Sequence, residues 1–449
     1  MALTALARAE EAQPVLTLAE AVRIAQQNHL AMAIAQMQVD SSKAGLKIAH
    51  SLKLPVITGT SSYGASKSAG SRTTLIGPTP ITSPADQSQD ILSSNVSLRQ
   101  TFYNGGLTEA QMKQAEAQVR SSMHGYDATK QDVTLNVIVA YFSYLEAIKL
   151  HSVTQEQVTA AQRHLEATQA SINAGVLAPA DIYQFRARVA DARISEIQAR
   201  NAEQQAATAL RQAMGLELGT PLAVSDTERL TDYGLGTAEV PDLVKRGLEA
   251  RPELLEARDS TALAVQGRRI SYINASPRLS LTGQANWQPG QEVSTTKPAT
   301  ATAVSNSFGN DYSATLALTV PIWDFGASQA AKKQANASLE TARLREQQLE
   351  RDTAAAVESA YLALVNAREQ VTAATALAEE ARVALGAAEA RYQIGLATPL
   401  ELNDAQVTHF NAQVSQVRAQ YGEQLALARL ARVIGETERL VTPSSTTGS

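Results

Sequence analysis

The side chains best suited to proton transfer or metal ligation are six histidines, at positions 29, 50, 124, 151, 164 and 409, and they form no ligand spacing. Two ligands on one helix need offsets near three or four residues, so that both rings leave the same face. His151 and His164 are too far apart in phase to share one. Asp and Glu are plentiful, 44 in all, but on long helices such carboxylates form solvated faces. There is no cysteine, which excludes a thiol nucleophile, disulfides, Cys-based zinc or iron–sulfur sites and lipidation on an N-terminal Cys. The Gly-containing stretch Tyr63–Gly77 lacks the strand–loop–helix context of a phosphate cradle, and no nucleophile elbow or cofactor motif appears. The chain reads as a non-enzyme without metal or cofactor.

What remains is architecture. The chain is 44% apolar but only 4% aromatic, and Ala, Leu, Gln, Glu and Arg dominate, a composition of long helices packed closely side by side. A net charge of −5 leaves no footprint for nucleic acid. No stretch approaches the roughly 20 apolar residues of a membrane helix; the best candidate, Val133 to Leu145, is short and holds Thr134, Asn136 and Ser143. Any membrane-spanning part must therefore be a closed β-barrel. At the N-terminus, Ala2 to Ala7 is too short for the apolar core of an export signal and Arg8 follows. The expectation is that the export signal lies outside this numbering.

The chain is duplicated. Leu98 matches Leu318, Gly106 matches Gly326, Ala140-Tyr141 matches Ala360-Tyr361, Gly175 and Pro179 match Gly395 and Pro399, and Gly215 matches Gly435, all at an offset of 220. Upstream the offset drifts to 222, where Pro55 meets Pro277. The period far exceeds that of solenoids, so this is a duplicated half-molecule. Repeat one covers 16–225 and repeat two 239–435. Residues 226–238 link them, 1–15 precede them, and 436–449 read as a disordered tail.

Each repeat has one plan. A helical lead-in (Ala19 to Lys53; Asp242 to Asn274) is followed by two short alternating segments, then a very long helix, a Gly-x-x-x-Pro tip and a return helix. Strands are expected at about 54–63, 95–103, 278–287 and 313–323. Leu279, Leu281, Gly283, Ala285 and Trp287 alternate with Arg278, Ser280, Thr282, Gln284 and Asn286; Ala314, Leu316, Leu318, Val320 and Ile322 form a second such row. Period-two alternation over about ten residues suits a lipid-facing strand with a polar lumen. A hairpin on a soluble protein would share the pattern; its recurrence in both repeats favours a barrel. Between the strands, Tyr63–Asp90 and Gln288–Asn310 lack apolar periodicity and are expected as surface loops. Four strands cannot close a barrel, so copies must complete the wall, and three would give twelve strands. Tyr63, Phe102, Tyr103, Trp287, Tyr312 and Trp323 fall near strand ends, as an interfacial girdle or as core.

From Leu107 to Ala174 there is no Pro and only Gly125, so the expected helix 107–174 is roughly 100 Å long at 1.5 Å per residue. Such a length needs a coiled-coil-like partner. Val371, Ala374, Ala378, Ala381, Leu385, Ala388 and Tyr392 provide a seam of alternating threes and fours, and Val158, Ala161, Leu165, Thr168 and Ile172 its counterpart. The second long helix is expected at 327–394, with return helices at 179–214 and 399–434.

This order, given twice, resembles the TolC family of outer-membrane factors across 16–435. The most specific pieces are the tips, Ile172-Asn173-Ala174-Gly175-Val176-Leu177-Ala178-Pro179-Ala180-Asp181 and Tyr392-Gln393-Ile394-Gly395-Leu396-Ala397-Thr398-Pro399-Leu400-Glu401. The junctions Tyr103-Asn104-Gly105-Gly106 and Trp323-Asp324-Phe325-Gly326 also match. The resemblance implies a mostly α protein with a membrane β-barrel: a trimeric twelve-stranded barrel, four strands per chain, continued by a long α-helical periplasmic tunnel. It implies an exit duct in the outer membrane of a Gram-negative bacterium, serving a tripartite efflux or type I secretion system. Its partners would be two further copies, a periplasmic adaptor, an inner-membrane pump and outer-membrane lipid. Gly175, Val176, Leu177 and Asp181 with Gly395, Leu396 and Ala397 would be the adaptor-docking tips. Glu401, Asp404 and Tyr392 would ring the entrance, while Ala397 stands where the family's latch arginine is expected. The competing reading is a periplasmic coiled-coil spacer that conducts nothing; it has no use for a lipid-facing strand row.

Overall fold

The computed structural model describes residues 15–174, 178–226, 228–296 and 302–441. It divides into two compact units that cut across the duplication, each taking pieces of both repeats. One lies within 1–40, 120–259 and 344–449, the other is 41–119 and 260–343.

The second unit carries a four-stranded antiparallel sheet, β1 (Val56–Ile76), β2 (Thr79–Tyr103), β3 (Arg278–Thr296) and β4 (Thr302–Thr319), in the order β1-β2-β3-β4. The strands are much longer than the expected ten residues, and this corrects the reading of Tyr63–Asp90 and of the described parts of Gln288–Asn310 as loops; 297–301 lie outside the described residues. The Ser, Thr and Gly residues of these segments lack an apolar face but still form a ladder, supported by the cross-strand hydroxyl pair Thr73–Thr82 at 2.9 Å. Only Gly77 and Pro78 separate Ile76 from its partner Thr79. Gly77 takes φ +62 at the first central position of this two-residue turn, where a side chain is disfavoured. Pro80 and Pro84 lie beyond Ala85, the outermost β2 residue paired with β3 among the described residues, where a missing N–H is tolerated. β4 stops at Thr319, short of the expected 323.

The duplication is visible in the strand registers. Val56 faces Arg99 and Ile57 faces Leu98; in the second hairpin Arg278 faces Thr319 and Leu279 faces Leu318. Each pair is the other shifted by 222 and 220 positions.

The helices are α1 (Leu18–Asn28), α2 (Leu30–Ser51), α3 (Leu107–Asn173), α4 (Ile182–Met214), α5 (Val240–Ala250), α6 (Pro252–Ile273), α7 (Ala327–Gln393) and α8 (Pro399–Val433). Each lead-in, expected as one helix, is two. The chain extends at His29 and at Arg251; Pro252 explains the second break, and nothing in the sequence announces the first. In the helical unit Ile138, Tyr141, Phe142, Leu145, Leu210, Met214, Leu364 and Leu430 are fully or almost fully buried. The Tyr141 hydroxyl donates to the carbonyls of Leu16 and Ser225, at 3.0 and 3.1 Å, tying the α3 core to a bridge between Leu16 and Val224. An 18-residue window of α3 reaches a mean hydropathy of 1.4, long and apolar enough to cross a membrane by composition, which the reading of Val133–Leu145 passed over. Half of it is buried inside the protein, as a core-forming helix face requires.

Equivalent glycines close the two halves. Gly215 (φ +69) follows α4, and a Cβ there would stand 3.0 Å from the carbonyl of Asn28, the last residue of α1. Gly435 (φ +82) follows α8, and its Cβ would stand 2.9 Å from the carbonyl oxygen of Ala250, the last residue of α5. Both positions combine left-handed backbone with close approach, so only glycine fits. Beyond Gly435 the expected disordered tail is in part packed: Thr437–Leu440 forms a short 3-10 turn with Thr437 and Leu440 buried. Residues 442–449 lie outside the described residues.

Candidate functional site at the helix tips

α7 ends because Gly395 adopts φ +76, and the chain turns back through two bonds. Gly395 N–H donates to the Tyr392 carbonyl at 3.0 Å and Leu396 N–H to the Arg391 carbonyl at 2.8 Å, satisfying carbonyls that a helix end leaves open. α8 then starts on a capping box. The Thr398 hydroxyl accepts the Glu401 N–H at 3.2 Å, and the Glu401 carboxylate accepts the Thr398 N–H at 3.4 Å. Pro399 occupies the first turn, where no N–H is needed. In the first repeat Gly175, Val176 and Leu177 lie outside the described residues; the chain resumes at Ala178, and Pro179–Asp181 forms one 3-10 turn before α4.

The expected entrance residues are distributed as follows. Glu401 and Asp404 are exposed on the first turns of α8, and Tyr392 is half-buried on the last turn of α7. Glu401 is turned back onto its own helix start, with Arg391 Nη2 3.8 Å from its carboxylate. Arg391 is the cation the sequence reading missed. The capping box Thr398-x-x-Glu401 was legible and places Glu401 near the end of α7. Tyr392 lines an open cleft of about 820 Å³ with Arg163, His164, Glu389, Gly395, Ala397 and Leu402, its hydroxyl enclosed without a hydrogen-bond partner among the described residues. Ala397, Leu396 and Gly395 all stand at the turn, and Ile394, Leu396 and Leu400 expose large apolar side chains there.

One step up the same helices, His164 Nε2 lies 3.6 Å from Glu389. Burial pushes the His164 pKa below its usual value, with Glu389 opposing and Arg163 reinforcing. Beside it Phe185, Leu385, Val407 and Phe410 line a cavity of about 220 Å³. Gln157 Oε1, Asn403 Oδ1, Gln406 Nε2 and His409 Nδ1 are enclosed without hydrogen-bond partners among the described residues. Such a cavity has room and polar lining for ordered water. Below the tips the heptad seam is packed as its spacing predicts: Ala374, Ala378 and Ala381 of α7 are buried, Ala378 and Ala381 against Ala412 of α8. Small residues at these positions let the two backbones approach closely. The arrangement presents an apolar turn and carboxylates at a helix start.

Residues 21–216 and 243–436 match the family described as outer membrane efflux protein. Outer membrane protein TolC of Vibrio cholerae serotype O1 is 25% identical over 421 residues, which is 93% of this chain and 90% of that protein. Outer membrane protein TolC of Escherichia coli (strain K12) is 28% identical over 297 residues, 66% of this chain; that match spans 60% of the Escherichia coli protein, less than two thirds of its length. Among solved structures, the Campylobacter jejuni CmeC outer membrane channel superposes with a TM-score of 0.77 at 16% identity, covering 94% of this chain and 86% of that one. At that identity the likeness speaks for the fold, barrel strands joined to long paired helices. With both halves of the duplication matched, the chain belongs to the outer membrane efflux protein family.

Proposed function

We propose that this chain is the outer-membrane exit duct of a tripartite efflux or type I secretion system, a passive channel rather than an enzyme. Substrates reach it from an inner-membrane pump through a periplasmic adaptor. One observation carries the reading: a four-stranded sheet whose outer strands, β1 and β4, each pair on one side only among the described residues, with Leu316 and Leu318 exposed in one row along β4. Open edges are not tolerated in lipid, so three copies close a twelve-stranded wall. The exposed apolar strand row disfavours a soluble spacer. At the other end of the chain's plan, Gly175, Val176, Leu177 and Asp181 with Gly395, Leu396 and Ala397 form the adaptor-docking tips. Glu401, Asp404 and Tyr392 form the entrance, with Arg391 as the cation available where Ala397 offers none.

Purified protein in detergent should have the mass of a trimer and should conduct ions in planar bilayers. A stable monomer that keeps its strand content and conducts nothing overturns the proposal. For the tips, Gly395→Trp should abolish export in cells while trimers and membrane insertion persist; normal export refutes the docking assignment.

A further inference from the structure

We infer that copies of this chain join in one strand register, β4 antiparallel to β1 of the next copy with Thr319 opposite Thr60 of the partner subunit, and that Phe325 seats on Leu54 of the partner subunit. This rests on the oligomeric duct proposed above and adds the contacts that make its joint.

The duplication supplies the template. Shifting β1 by 222 and β2 by 220 turns the first hairpin's register into the second's along its length: Thr60↔Asn95 becomes Thr282↔Thr315 and Tyr63↔Leu92 becomes Ala285↔Tyr312. In a closed ring the boundary between β2 and β3 within a copy alternates with the boundary between β4 and the partner's β1. The same shifts carry Arg99↔Thr282 and Tyr103↔Leu279 to Thr319 opposite Thr60 of the partner subunit and Trp323 opposite Ile57 of the partner subunit.

Three observations support the transfer. First, β2 remains strand to Tyr103 because its last residues pair with β3, whereas the equivalent 320–323 at the end of β4 are not strand in the single chain. Second, the two edges expose matching apolar groups: Ile322, Trp323 and Phe325 on one, Leu54, Val56 and Ile57 on the other, with Ile322 91% and Phe325 93% exposed. Third, Phe325 holds φ +53, a left-handed conformation that a bulky side chain rarely adopts. Its counterpart in the first repeat is Gly105, φ +68, where a Cβ would lie 2.6 Å from the Cβ of Ser276. Ser276 corresponds to Leu54, so the Phe325 Cα–Cβ bond is aimed at Leu54 of the partner subunit, while its ring stands edge-on to Trp323 with centroids 6.1 Å apart. A Cβ separation that short is impossible between Phe and Leu. The joint between copies therefore stands wider than the joint within a copy, and the phenyl ring fills the difference. Strained backbone is retained where the side chain it aims gains contact.

The chain has no cysteine, so introduced thiols report without background. Thr60→Cys with Thr319→Cys should give covalent multimers on oxidation of the detergent-purified full chain, seen after denaturation without reductant. Thr319→Cys with Ser62→Cys, two residues off register, should give about tenfold less, its Cα separation exceeding disulfide reach. Leu54→Cys with Phe325→Cys should be joined by a short bismaleimide. Should the first pair fail to fold, Ser61→Cys with Leu318→Cys tests the same register. Equal linking of the off-register pair overturns the register, and absence of linking by bismaleimide overturns the Phe325 seat; in both cases an oligomeric native mass leaves the duct reading intact. A monomeric native mass overturns both.

Discussion

The guanidinium of Arg368 lies 2.6 Å from the carboxylate of Asp232 and 3.3 Å from that of Glu423, which joins the inter-repeat segment to α7 and α8. Asp232 also accepts the backbone N–H groups of Gly234 and Leu235, at 3.0 and 2.7 Å, and a side chain at Gly236 would displace the Arg368 guanidinium. Asp232→Ala should cost roughly 1–2 kcal/mol, the net worth of such hydrogen bonds in a partly exposed pair that solvent screens. Burial raises the Asp232 pKa, but the bonds from Arg368 and the N–H groups outweigh it and hold the carboxyl below its usual range. The stabilisation is therefore complete above the unfolded value of about 3.9 and is lost as pH falls through the lower folded value. Thermal melts of the helical signal across acid pH should show that slope in the parent and a flatter one in Asp232→Ala.

Gly215→Ala and Gly435→Ala should each destabilise by about 2 kcal/mol or more, because left-handed backbone and a carbonyl in contact oppose the methyl together. Gly395→Ala, with open space around its Cβ position, should cost only the torsional part, about 1 kcal/mol. Chemical denaturation of the three variants checks the order; equal losses would contradict it.

At the entrance, charge and capping can be separated. Glu401→Gln with Asp404→Asn keeps an N3 side chain able to complete the capping box while removing both charges. Cation selectivity in single-channel recordings should fall, because like charges around a narrow opening focus a negative field, and the melting temperature should stay. Glu401→Ala should also loosen the start of α8, by about 1 kcal/mol. Unchanged selectivity in the Gln/Asn variant would reduce Glu401 to a helix cap.

The hairpin turn is expected to face the cell exterior. A tag inserted between Gly77 and Pro78 should be labelled on intact cells, and one at Ala178 should not. Equal labelling contradicts the proposed orientation.

The sequence disclosed the helices and turns better than the strands, for physical reasons. Gly395, Pro399 and the run of small residues from Ala374 to Ala388 act locally, through backbone torsion and heptad phase, and can be read without a fold. Residues 64–90 carry no apolar period for a sequence reading to find; the ladder there is held by backbone pairing and closed by Gly77-Pro78. Thr437 and Leu440 looked like tail because their burial depends on partners far away in sequence. At the entrance, Tyr392 and Glu401 follow from the family resemblance, whereas the place of Arg391 beside Glu401 depends on the turn at Gly395 that folds α8 back along α7.

β1 spans 21 residues and β2 25, while a tilted strand crosses a bilayer in about 9–11. On the proposed orientation roughly half of the first hairpin, some 30 Å at 3.3 Å per residue, stands clear of the hydrocarbon. The outermost contour of the duct is then a paired ribbon rather than an unpaired loop. An antibody recognising it would meet an epitope already shaped, with little ordering left to oppose binding.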